Sequence, residues 1–201
     1  MIKKLFIHRS LPEMYNIAVG DGNKIYTEVS GKKDGIPVIF VHGGPGGQCR
    51  SEHHSLFDPQ IFRSILFDQR GCGKSLPYRS LNGNNTDNLV EDIDKIRDFF
   101  KIKKFLIVGG SWGATLAIKY ALKFPENLLG VLLRSVFLGT VKEIKWAFIE
   151  GPKNFAPNLF DKFESFSNQK NIIDFYYKMI VKKNSKLHSW VWHDYERILS
   201  Q

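Results

Sequence analysis

Four short runs, IPVIFV (36–41), RSILFD (63–68), FLIVG (105–109) and LLGVLL (128–133), set the tightest limit on how this chain folds. Each is strand-length and largely apolar without alternation, the pattern of parallel β-strands covered by helices on both faces. Ahead of them, NIAVGDGNKIYTEVSG (16–31) places two strand-like pieces around Gly20-Asp21-Gly22, which predicts an antiparallel hairpin. Leu89, Ile93, Ile96 and Phe100 recur at helical spacing, with Asn88 and Glu91 placed as a capping box. Ala114 to Phe124 repeats that period and stops before Pro125, where a helix has reason to end. Strands alternating with helices predict an α/β fold with a mostly parallel sheet and an N-terminal hairpin.

The pattern changes near Thr140. KEIKWAFIEG and KNIIDFYYKMIVKK read as helices rich in aromatic residues, so residues 1–139 are expected to form the sheet core and 140–201 a helical cap. No apolar run reaches the ~18 residues that cross a bilayer, and MIKKLFIHRS turns polar too soon for a signal peptide, so a cytoplasmic protein without membrane contact is expected. The net charge of +9 is scattered rather than gathered into a stripe, which argues against a nucleic-acid partner. Cys49 and Cys72 have no CxxC spacing and read as ordinary thiols rather than a metal knuckle or a disulfide framework.

Gly109-Gly110-Ser111-Trp112-Gly113 fits the G-x-S-x-G elbow, in which a sharp strand-to-helix turn lifts a nucleophilic serine above the sheet. Its alternative is a plain tight turn with Ser111 as a helix cap. VIFVHGGPGGQCR (38–50) is a strand followed by glycines; backbone N–H groups near Gly43 and Gly44, together with that of Trp112, could receive an oxyanion. His42 in that loop reads as a shaping residue. FDQRGCGKS (67–75) ends like a phosphate-binding loop, but Asp68 occupies the first glycine position and a turn-rich segment follows where a helix is required. Asp68 and Arg70 are read instead as a charged pair buttressing loops at the sheet edge. His53 and His54 with Asp58 lack a complete metal signature, and no metal site is expected.

Taken together, HGGPGG, DQRGCGKS and GGSWG, continuing through NNTDNLVEDIDKIR, YALKFPENLLGVLLRSVFLG and IEGPKNFAPNLFDKF, resemble the prolyl iminopeptidase branch of the α/β-hydrolases over nearly the whole chain. The resemblance implies a serine aminopeptidase that releases proline from a peptide with a free N-terminal proline, without metal or organic cofactor. It implies Ser111 as nucleophile, with Gly43, Gly44 and Trp112 as the oxyanion donors. It also implies that Glu196, in Trp192-His193-Asp194-Tyr195-Glu196, holds the substrate ammonium, with Trp192 and Tyr195 either walling the pocket or packing the core of the cap; Tyr195 stands where the family has a second tryptophan.

The family keeps its catalytic aspartate and histidine after the cap, so the resemblance covers the N-terminal two-thirds only, and the closing strands are expected to be absent from these 201 residues. A partial α/β-hydrolase fold with an incomplete cap, impaired turnover, self-association or complementation by a separate C-terminal half are the corresponding expectations. Another α/β-hydrolase specificity, such as an esterase, and a noncatalytic peptide-binding remnant stay open.

Overall fold

The computed structural model of the chain describes residues 5–167 and 169–199. They divide into two compact units, with the boundary between Leu138 and Gly139. In the first, a six-stranded sheet has the order β1-β2-β4-β3-β5-β6. The hairpin strands β1 (Glu13–Gly20) and β2 (Asn23–Gly31) pair antiparallel, and β2 pairs antiparallel with β4 (Phe62–Phe67). From β4 onward the sheet is parallel through β3 (Ile36–Val41), β5 (Phe105–Ser111) and β6 (Leu128–Val136).

Helices α1 (Thr86–Phe99) and α2 (Trp112–Lys123) flank β5 in sequence. Leu89, Val90, Ile93 and Ile96 of α1 and Leu116, Ala117 and Tyr120 of α2 share a core with Ile39, Val41, Ile65, Phe67, Phe105 and Ile107. Alternate residues of the same strands, Val38 and Leu66, face the other way and cluster with Phe57. Apolar side chains on both pleats explain why these strands read as continuous runs. The start of α1 differs from the sequence expectation: Asn85, not Asn88, is the cap, and its side chain accepts from the Asn88 N–H. Asn88 instead uses its side-chain amide to donate to the Gly83 carbonyl at 2.8 Å.

After β3 the chain moves to β4 on one side, then returns through α1 to place β5 on the other side of β3. The carboxyl ends of β3 and β5 therefore flank the point where strand order reverses, the place where open α/β sheets form a ligand crevice.

The second unit is helical. Thr140 and Glu143 form a reciprocal capping box for α3 (Val141–Lys145), which runs through a π turn (Trp146–Glu150) into α4 (Gly151–Phe155). Helices α5 (Pro157–Ser165), α6 (Ile172–Tyr177) and α7 (Lys186–Leu199) follow. Their core is an aromatic stack: the Phe163 ring lies between Tyr176 and Tyr195, with centroids 4.4 and 3.9 Å away and planes within 6° of parallel. The Tyr176 hydroxyl donates to the Phe163 carbonyl and the Tyr195 hydroxyl to the Phe148 carbonyl, so burial strands neither phenol. No helix among the described residues is long and apolar enough to cross a membrane.

Candidate active site

Ser111 ends β5 and precedes the first residue of α2 with φ +56° and ψ −124°, a backbone conformation that ordinary side chains rarely adopt. The side chain is exposed. The flanking glycines make this turn fit. A methyl group on Gly109 would lie 2.2 Å from the Gly113 carbonyl oxygen, and one on Gly113 would lie 2.1 Å from the Val41 carbonyl oxygen. Either contact is impossible, so α2 starts as close to β3 and β5 as it does only because both positions lack a Cβ. The sequence pattern thus has a steric cause in the fold, and the helix start leaves the Trp112 N–H without an intrahelical acceptor.

The loop after β3 comes against this elbow. A methyl group on Gly43 would lie 3.2 Å from Ser111 Cβ and 3.8 Å from its Oγ. His42 is 3% exposed. The Gln69 N–H donates to its Nε2 at 3.1 Å, which leaves Nδ1 to donate to the Gly43 carbonyl at 2.7 Å. Burial lowers its pKa, against the opposing pull of the Gly43 carbonyl and the Asp68 carboxylate. With both ring nitrogens engaged, His42 shapes the loop and is not placed to take a proton from Ser111.

Asp68 and Arg70 do not pair with one another, which corrects the sequence expectation. Asp68 accepts from the Cys49 N–H at 2.7 Å and the Lys74 N–H at 2.8 Å, tying two loops at the ends of β3 and β4. Arg70 instead makes a two-pronged contact with Asp92 on α1, at 2.6 and 2.9 Å, and reaches Asp21 of the hairpin at 3.0 Å. Neighbouring residues on an extended chain point to opposite sides, so 68 and 70 share a side only while the strand continues; here β4 ends at Phe67.

The remaining histidines of the first unit are also occupied. His53 Nδ1 accepts from the Arg50 N–H, His54 Nδ1 bonds Ser64 Oγ at 2.7 Å, and His8 bonds Ser30 Oγ and the Phe57 carbonyl. Among the described residues no group of three or more His, Cys, Asp or Glu side chains could hold a metal ion. Burial raises the thiol pKa of both Cys49 and Cys72, the latter to about 11, so neither is an activated nucleophile.

Within the helical unit, Glu196 and Trp192 are half-buried on α7, whereas Tyr195 is 2% exposed and belongs to the aromatic core. Sequence reading missed Gln69, which is 2% exposed and bonded both to His42 and to the Trp112 indole. Its only signal is its position inside DQRG, next to an acidic and a basic residue that drew attention first.

The alpha/beta hydrolase fold family matches residues 36–179. The chain belongs to that family. As an α/β-hydrolase it is 42% identical over 169 residues to a proline iminopeptidase of Arabidopsis thaliana, covering 82% of this chain and 44% of that protein. It is 38% identical over 190 residues to a proline iminopeptidase of Neisseria gonorrhoeae, covering 91% of this chain and 61% of that protein. The chain therefore spans about half of the length of these curated relatives. A crystal structure of a proline iminopeptidase-related protein from Thermus thermophilus superposes with a TM-score of 0.61 at 22% identity, over 92% of this chain and 67% of that one. That likeness is one of fold.

Proposed function

We propose that this α/β-hydrolase chain carries the nucleophile and the oxyanion donors of a serine aminopeptidase that releases N-terminal proline from peptides. The observation that supports it is Ser111 in a left-handed backbone conformation directly against Gly43. The names of its relatives supply the substrate class.

In this reading Ser111 Oγ attacks the carbonyl carbon of the N-terminal proline. The carbonyl oxygen takes up negative charge, and the N–H groups of Gly43 or Gly44 and of Trp112 receive it. Collapse of that intermediate expels the shortened peptide as an amine and leaves proline esterified to Ser111; water then releases proline and restores the hydroxyl. Glu196 is assigned the proline ammonium, with Trp192 beside it, and Tyr195 supports that segment through the aromatic core. Among the described residues no histidine hydrogen-bonds Ser111.

The test is hydrolysis of a prolyl arylamide and of a short acyl ester by the chain and by Ser111→Ala, side by side. Activity on the prolyl substrate that depends on Ser111 supports the proposal. Ester hydrolysis without prolyl release favours a different hydrolase specificity, and equal rates for the two forms remove Ser111 as nucleophile.

A further inference from the structure

We infer that Gln69 is a positioning residue that holds the two oxyanion-donor segments, the loop after β3 and the start of α2, in a fixed relation. The inference rests on the serine-hydrolase reading for what that relation serves; the brace itself is geometric. Gln69 lies just beyond β4, and β4 and β5 flank β3 on opposite sides. Its side chain reaches across that centre. Nε2 donates to the His42 carbonyl at 2.8 Å, and Oε1 accepts from the Trp112 indole N–H at 3.2 Å. Its own backbone N–H donates to His42 Nε2.

The His42 carbonyl and the Gly43 N–H belong to one planar peptide unit, so a hydrogen bond that fixes the carbonyl also fixes the direction of the N–H. The same amide, through its other end, anchors the side chain of Trp112, whose backbone N–H is the second donor. An amide donates at one end and accepts at the other; a carboxylate lacks the donor, an ammonium the acceptor, and a thioether has no donor and a sulfur that accepts only weakly. At 2% exposure the amide has no ready water to exchange these partners for, which makes the link stiff. Gln69 touches no reacting atom, and its effect runs entirely through His42 and Trp112.

The experiment uses the chain as it stands and reads backbone amide resonances by 15N–1H correlation. Trp112→Phe removes the indole donor. It is expected to displace the Gly43 and Gly44 amide resonances in the wild-type background and to leave them in place in a Gln69→Met background. Equal displacement in both backgrounds, or none in the wild type, overturns the brace. Should Gln69→Met fail to fold, Gln69→Glu decides: it keeps an acceptor for Trp112 but loses the donor to His42, so the Gly43 resonance moves while the indole N–H stays in its hydrogen-bonded position. An unmoved Gly43 resonance overturns the brace.

Labelling of Ser111 by a fluorophosphonate separates this inference from the reading beneath it. With a braced site, labelling falls at least about tenfold in Gln69→Met, since small misplacements of oxyanion donors carry large rate costs. Unchanged labelling overturns the positioning role while leaving the hydrolase reading intact. No labelling in the wild type counts against Ser111 as an activated nucleophile within these residues and leaves the brace to the resonance test.

Discussion

Gly43 stands against Ser111 so closely that a methyl group added to it would lie 3.2 Å from Ser111 Cβ and 3.1 Å from the Gly110 carbonyl oxygen. The glycine is needed for approach, and its backbone angle lies outside the left-handed region. Gly43→Ala is therefore expected to fold and to push the two segments apart by a few tenths of an ångström. Fluorophosphonate labelling of Ser111 should drop roughly 10- to 100-fold, with the denaturation midpoint little changed. Labelling at the wild-type rate would show that the loop after β3 takes no part in the chemistry.

The elbow stores strain that glycine can release. Ser111 sits at φ +56°, where a side chain costs about 1–3 kcal/mol. Ser111→Gly should be more stable than Ser111→Ala by about 1 kcal/mol, a gain reduced by the extra freedom of glycine in the unfolded chain. Urea denaturation of the two variants checks this. Coincident midpoints would mean that the turn is relaxed.

Arg70 and Asp92 are each 1% exposed and bound by two hydrogen bonds. Removing Arg70 leaves Asp92 charged in the interior, and removing Asp92 leaves Arg70 only the more exposed Asp21, losses of up to about 3–5 kcal/mol. Either Asp92→Ala or Arg70→Ala should be severely destabilised. The double variant Arg70→Met/Asp92→Leu should be less so, because no charge remains in the interior. If the double variant is as unstable as the sum of the singles, the pair contributes by something other than mutual neutralisation.

His54 makes stability depend on pH. Its Nδ1 bonds Ser64, whose hydroxyl donates to the Ser30 carbonyl, while Nε2 faces Glu28 at 3.7 Å and the His8 ring lies 5.6 Å away. Burial pushes its pKa down to about 4, with Glu28 pulling upward and His8 and His53 adding to the fall. The folded value lies below the unfolded value of about 6.5, so the unfolded chain binds the proton first. The stability that His54 contributes is present above about pH 6.5 and is lost as pH falls toward 4, by up to roughly 3 kcal/mol. Glu28 is itself held below the usual carboxylate range: burial raises it, but hydrogen bonds from Tyr26 and Ser51 and the Lys74 charge outweigh that, so its contribution also declines on acidification. Unfolding free energies from pH 7 to 4 should fall less steeply in His54→Gln than in the wild type; parallel curves would remove His54 as the cause.

In the proposed reading Glu196 binds the substrate ammonium. Glu196→Gln is expected to weaken binding of a peptide with a free N-terminal proline about tenfold or more, as loss of a charge-assisted bond does, and to leave binding of an N-acetylated peptide unchanged. Calorimetric titration of both peptides measures the difference. Equal losses would place Glu196 outside the amine site.

Much of the architecture was legible before folding because its causes are local. The apolar runs marked β3 to β6, Gly20-Asp21-Gly22 marked the hairpin, and Pro125 marked the end of α2, since period, turn chemistry and backbone restriction act within a few residues. The motif around Ser111 was equally legible: a glycine on either side of a strand-to-helix turn is a steric requirement written into five positions.

Partner choice was not. The chain alone offered Asp68 and Arg70 as neighbours, yet the end of β4 turned them apart, and Arg70 found Asp92 and Asp21, which lie 22 and 49 residues away in sequence. Tyr195 read equally as a pocket wall or as cap core, and packing against Phe163 took it into the core of the helical unit. Gln69 had no local signature beyond its place inside DQRG. The sequence by itself determined the strands, the hairpin and the strained serine, because those follow from dihedral preferences and the spacing of apolar residues. Which side chains meet around that serine was decided by the tertiary structure, because a hydrogen bond needs two atoms within about 3 Å, and only the crossing of β3, β4 and β5 brings remote residues that close.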